Sequence, residues 1–136
     1  MHKLTGAVLC AAFFLLALTG CANAPEQQRM TYHYGTPWTE ASVNGVAGIF
    51  LLDTGASISV VDRELARRAR LRPHGEQEIV ATGGTTFLRA GWADTITLDG
   101  VTHQDRLISI QDLAGFRAPG GRQQSGLVGC DFFLDY

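Results

Sequence analysis

The segment Ile49–Val61, IFLLDTGASISVV, sets a carboxylate, Asp53, between two apolar runs. A buried charge is costly unless it is paired, hydrogen-bonded or neutralised, so Asp53 either shapes a turn or does chemistry. A carboxylate can hydrolyse a peptide when a second one lies beside it. Two carboxylates about 3 Å apart cannot both ionise, so they share a proton. The ionised member draws a proton from an attacking water, and the protonated member donates to the oxyanion forming on the carbonyl. The chain carries a single Asp-Thr-Gly, and Asp94, Asp99 and Asp105 fall in strand or hairpin settings that read as exposed. On that chemistry the second carboxylate would have to come from a second copy, Asp53 of each subunit meeting across a two-fold axis.

Other chemistries find less in the sequence. His33, His74 and His103 are isolated, and no Cys/His spacing suggests zinc. Ser57 or Ser125 with His103 would make a serine hydrolase, but no nucleophile-elbow motif surrounds either serine. No metal or organic cofactor is implied. A balance of 11 basic and 13 acidic residues, net −2, is not that of a nucleic-acid-binding protein. The basic cluster Arg63, Arg67, Arg68, Arg70 and Arg72 reads as the solvated face of a helix.

The elements that must hold Asp53 are mostly strands. Asn44-Gly45 is a hairpin turn between arms at about 32–43 and 46–52. The unbroken apolar run Ile49–Leu52 predicts a strand buried on both faces, and Ile58–Val61 resumes strand character after the Asp-Thr-Gly-Ala turn. A short helix follows, with Asp62 as cap and Leu65, Ala66 and Ala69 on one face. Gly83-Gly84 tips a second hairpin within Glu78–Leu88, and Asp99-Gly100 turns a third. Trp92, Asp94, Ile96 and Leu98 mark the alternation of the strand leading into that third turn, and Leu107–Ile110 completes the sheet. Gln111–Gly126 reads as a Gly/Pro-rich loop that either lines a substrate cleft or, the favoured reading, lacks fixed structure, and the chain ends in an apolar strand, Gly129 and a short helix capped by Asp131. The expected fold is mainly β: a small closed antiparallel barrel with one or two short helices.

Residues 1–18 do not belong to that fold. His2 and Lys3 precede an apolar run of roughly a dozen residues, too short for a comfortable membrane span, as in a secretory signal peptide. The run ends in Leu18-Thr19-Gly20-Cys21-Ala22, which resembles a bacterial lipobox. The resemblance implies cleavage before Cys21, lipid on its thiol, and a periplasm-facing anchor, at the outer membrane where the host has one. The chain then divides into a leader (1–20), a small polar tether (21–29) and a domain (30–136). Without Lys3 the basic count falls to 10 against 13 acidic residues, net −3, and no lysine remains. Cys10 leaves with the leader and Cys21 is lipidated, so Cys130 is left as a lone thiol expected to be buried.

FLLDTGAS, a glycine-tipped hairpin about 30 residues later, and GLVGCDF some 40 residues further on together resemble the retropepsin-like aspartic proteases. The resemblance covers nearly the whole domain and implies a homodimeric endopeptidase that cuts extended peptides, with Asp53 catalytic. In that frame the Gly55 N–H approaches the carboxylate and holds it coplanar with its partner, and Thr54 hydrogen-bonds across the dimer axis. Ala56 stands where pepsin-type enzymes carry Ser or Thr. The loss of that hydroxyl removes one hydrogen bond to the charged dyad, which implies a working pH nearer neutral than pepsin's, though still mildly acidic. Gly83 and Gly84 form the flap tip, and Leu127, Val128 and Gly129 support the turn from beneath. Ile58, Val80 and Leu127 are candidates to line the substrate pockets. The sequence departs from the family after DFFLDY, where a terminal strand that helps build the dimer is expected. That departure keeps open a second reading, a protease-like lipoprotein that binds without turnover.

Overall fold

A computed structural model of the chain describes residues 30–81 and 83–134. The leader, Cys21 and the tether lie outside the described residues. The secondary structure is strand β1 (Thr31–His33), β2 (Thr36–Val43), β3 (Val46–Leu52), β4 (Val60–Asp62), helix α1 (Arg63–Arg68), β5 (Arg72–Ala81), β6 (Gly84–Leu98), β7 (Val101–Gln111) and β8 (Gly126–Val128), with 3₁₀ turns at Pro119–Gly121 and Cys130–Phe132.

Two-residue turns make the hairpins. Asn44 (φ 48°) and Gly45 (φ 77°) join β2 to β3, and Asp99 (φ 53°) and Gly100 (φ 72°) join β6 to β7. Both residues of each turn take the positive φ that matches the twist of the flanking strands. Asn44 does more than turn the chain: its Nδ2 donates to the Ala69 carbonyl (2.8 Å) and its Oδ1 accepts from Thr95 N–H (2.9 Å). The first arm is not one strand, because Tyr34 (φ 50°) and Gly35 (φ 78°) make a further turn that splits it into β1 and β2.

The strands pair in the order β1-β2-β3-β8-β4-β7-β6-β5, and β2 also pairs with β6 through Ala41–Val43, so the hydrogen bonding runs as a ring. Most pairs are antiparallel, but β3·β8 and β4·β7 are parallel. Val43, Phe50, Val61, Leu65, Ala93, Ile96, Leu98, Ile108, Val128 and Phe132 fill the interior. A smaller cluster of Trp38, Ile49 and Ala118 sits apart from it.

The second hairpin is longer than its glycine tip suggests, because β5 starts at Arg72 and β6 runs unbroken to Leu98. The alternation along β6 also departs from the expected pattern. Ala93 and Ile96 are both buried while Asp94 is exposed, so the inward face switches between them. Across from this switch Asp105 adopts φ 50°, and Arg72 reaches both Asp94 (2.9 Å) and Asp105 (3.4 Å). Arg72 thus belongs to a strand, not to the helix face of Arg63, Arg67 and Arg68.

Helix α1 begins at Asp62, whose Oδ2 accepts from Glu64 N–H at 2.9 Å. It ends with Arg70 at φ 52°, Leu71 N–H bonding the Ala66 carbonyl and Arg70 N–H bonding that of Arg67. This is a Schellman ending built on a residue other than glycine. The segment Gln111–Gly126 is ordered, contrary to expectation. Leu113 and Ala118 are buried, Leu113 N–H bonds Asp62 Oδ1, and Arg117 pairs with Gln123. Ser125 closes the segment: its Oγ accepts from Ile49 N–H and its N–H donates to the Ile49 carbonyl. These partners lie far away in sequence, so composition alone could not reveal them.

Candidate active site

Strand β3 delivers Asp53 to its carboxyl end, beside β8. The parallel register Phe50↔Gly126, Leu51↔Leu127 and Leu52↔Val128 carries on into a bond from Asp53 N–H to the Val128 carbonyl at 3.0 Å. There the chain turns, with Ala56 N–H donating to the Asp53 carbonyl at 3.1 Å. The turn takes the carboxylate out of the apolar run, and Asp53 is half-buried instead of enclosed. Gly55 N–H donates to Asp53 Oδ1 at 2.9 Å. That bond restrains the rotation of the carboxylate.

Thr54 and Gly55 are exposed on the turn, and Ala56 is half-buried. Below, Val128 is buried and Leu127 half-buried. Gly129 fits only because it lacks a side chain: a Cβ there would fall 2.5 Å from the Ile58 carbonyl oxygen and 2.9 Å from that of Ala56. Cys130 N–H donates to the Ala56 carbonyl at 2.8 Å and Cys130 Sγ to the Thr54 carbonyl at 3.1 Å. The thiol is therefore half-buried against the turn, not enclosed in the core.

Sequence reasoning missed Ser59 and misread Asp131. Asp131 caps nothing, since the 3₁₀ turn Cys130–Phe132 has no side-chain cap. Its Oδ1 accepts from Ser59 Oγ at 2.7 Å and its Oδ2 from Ser59 N–H at 2.8 Å. Ser59 Oγ in turn accepts from Gly129 N–H at 3.0 Å. The one available signal was Ser59 itself, a hydroxyl in an inward-facing apolar run. It is only 6% exposed, and a buried hydroxyl requires a partner.

The Gly83-Gly84 hairpin is a separate part of the molecule. Gly83 sits in the turn, and Gly84 (φ 118°) pairs with Ala81. Val80 (76% exposed) and Phe87 (61%) share its outer face, and Val80 is open to solvent in the single chain. The opposite face, with Ile79 and Leu88, is half-buried. A cavity of about 610 Å³ lies between α1 and the root of this hairpin, lined by Ala66, Leu71, Leu88 and Ile110 among others. Another of about 270 Å³ lies beside Ser59 and Asp131. Asp53 lines neither. Among the described residues no group of three or more His, Cys, Asp or Glu could hold a metal ion, and no helix is long and apolar enough to cross a membrane.

The family model described as Aspartyl protease matches residues 39–132. No curated protein sequence matches the chain. Among solved structures, the EIAV protease complexed with the inhibitor HBY-793 is similar with a TM-score of 0.57 and 24% identity, over 77% of this chain and 92% of that one. A retropepsin-like aspartic protease from Rickettsia conorii is similar with a TM-score of 0.51 and 16% identity, over 79% of this chain and 75% of that one. The family model spans more than half of the chain and the ring of strands is similar to those of solved proteases, so the chain belongs to the aspartyl protease family and has a retropepsin-like fold.

Proposed function

We propose that the protein is an aspartic endopeptidase that works as a homodimer, with the Asp53 carboxylates of two copies forming the catalytic pair. The observation that carries this reading is the Asp53 turn, where one carboxylate oxygen is held by Gly55 N–H and the turn itself stays accessible at the end of β3. One carboxylate in a half-buried setting is half of a proton-sharing pair, and a second copy supplies the other half. One Asp53, ionised, takes the proton of the attacking water; the other, protonated, donates to the carbonyl oxygen as it becomes an oxyanion. Exposed Thr54 is available to bond its counterpart across the axis. The Gly83-Gly84 hairpin supplies a strand edge that can close over an extended peptide.

The sequence of residues 1–22 supports a further part of the proposal. Lipid on Cys21 tethers the domain to a bacterial membrane, facing the periplasm, with outer-membrane sorting favoured by Ala22. Fatty-acid labelling that disappears in Cys21→Ala tests the anchor, and labelling that persists would refute it.

The catalytic reading is tested by cleavage of a diverse peptide mixture between about pH 4 and pH 7. Wild type should cut and Asp53→Asn should not. Folded wild-type protein that cuts nothing under any of these conditions would favour a protease-like binding protein instead.

A further inference from the structure

We infer that Asp131 is a positioning residue for the Asp53 turn, acting through Ser59 and Gly129; the inference rests on the peptidase reading of that turn. The turn's own bonds, Ala56 N–H to the Asp53 carbonyl and Gly55 N–H to Asp53 Oδ1, give it its shape. They do not set where it stands in the molecule. Its place comes from the segment 128–131 running alongside: Asp53 N–H to the Val128 carbonyl, Cys130 N–H to the Ala56 carbonyl, and Gly129 N–H to Ser59 Oγ.

The last of these bonds depends on the direction of a proton. Ser59 Oγ accepts well from Gly129 only if its own hydrogen points elsewhere, and Asp131 Oδ1, 2.7 Å away, takes that hydrogen. A carboxylate can only accept, so the direction of the relay is fixed from Gly129 N–H through Ser59 O–H to Asp131. The second carboxylate oxygen holds the Ser59 backbone N–H, so Asp131 grips both the side chain and the main chain of one residue. Bonds to an ionised acceptor are roughly twice as strong as neutral ones. Cys130 Sγ is a weak donor and no substitute for them.

The site has no slack to absorb a loosened grip. The carbonyl oxygens of Ile58 and Ala56 occupy the space that a Cβ on Gly129 would need. Ala56 in turn holds the Asp53 carbonyl. Displacement of 58–59 from 129–130 therefore reaches the catalytic carboxylate through one residue. A misplacement of about 1 Å can cost on the order of a hundredfold in rate.

The cavity of about 270 Å³ beside the pair lets water replace a deleted carboxylate, so removal of Asp131 loosens the turn without orphaning Ser59. In the full-length chain, Asp131→Ala should lower kcat by about tenfold or more with KM within about twofold, the pattern of lost transition-state geometry. Amide exchange at Ser59 and Gly129 in the folded protein should speed up by about tenfold. Asp131→Asn has one accepting oxygen where the carboxylate has two, so its amide must either oppose Ser59 N–H or donate to Ser59 Oγ against the relay, and it should recover only part of both losses. Unchanged exchange at those amides, an unchanged kcat, or an Asn variant equal to wild type in both would each overturn the assignment. Should wild type cleave nothing, the peptidase reading fails by itself, and exchange alone decides whether Asp131 positions the turn. Should Asp131→Ala not fold, Ser59→Ala is measured in its place: faster Gly129 exchange supports the role and unchanged exchange refutes it.

Discussion

The Asp53 turn and the Gly83-Gly84 hairpin both depend on glycine, for opposite reasons. Gly129 under the turn is required by crowding: carbonyl oxygens stand where its Cβ would be, and its φ is extended. Gly84 in the hairpin has nothing within 4 Å of an added Cβ but takes φ 118°. One region is bonded to the C-terminal segment residue by residue. The other is a two-stranded arm with Val80 and Phe87 exposed on its outer face. The contrast is the one the proposed peptidase requires, a reacting group held still under a cover that moves.

The largest expected effect is at the crowded site. Gly129→Ala should cost about 3 kcal/mol, because backbone carbonyls cannot yield as a side chain would. Denaturant unfolding measures this, and a loss below about 1 kcal/mol would mean that the turn is looser than described. Gly84→Ala should cost about 1–2 kcal/mol, from backbone strain alone. Gly83→Ala, with open space around it and a backbone outside the left-handed region, should stay within about 0.5 kcal/mol. If Gly83 and Gly84 respond alike, conformation is not what distinguishes the hairpin glycines.

A reference outside both regions should respond least. On the outer face of α1, Arg67 hydrogen-bonds Glu64 at 2.7 Å and holds its carboxyl below the usual glutamate range, against a smaller opposing effect of desolvation. A carboxylate whose pKa is lowered by folding stabilises the fold above its ordinary pKa and loses that contribution as pH falls through the lowered value. Glu64→Gln should therefore lower Tm slightly near neutral pH in low salt. The difference should vanish in acid and shrink in high salt, since the pair is exposed. A Tm difference that persists in acid would have another cause.

Much of the framework was legible because its signals are local. Asn44-Gly45 and Asp99-Gly100 announce turns, Asp62 announces a helix start, and Asp53-Thr54-Gly55 announces a turn after a buried strand. Legibility failed where a partner lay far away. Asp131 at the start of a short helical turn has the look of a cap, but its carboxylate is taken by Ser59, 72 residues away. Gln111–Gly126 has the composition of a loose loop, but Asp62 and Ile49 supply the bonds that fix it. Tyr34 is a poor candidate for positive φ, so the turn that separates β1 from β2 left no mark of its own. The site was read from its motif, while the contacts that place it required the fold.

The most direct test of the central claim is subunit mixing. Wild-type chain at fixed concentration is titrated with Asp53→Asn chain, and peptide cleavage is followed. If each active site needs one Asp53 from each of two copies, a tenfold excess of the variant should reduce activity by about tenfold, as wild-type chains are drawn into mixed pairs. Activity that stays constant across the titration would show that one chain suffices, and would contradict the shared carboxylate pair.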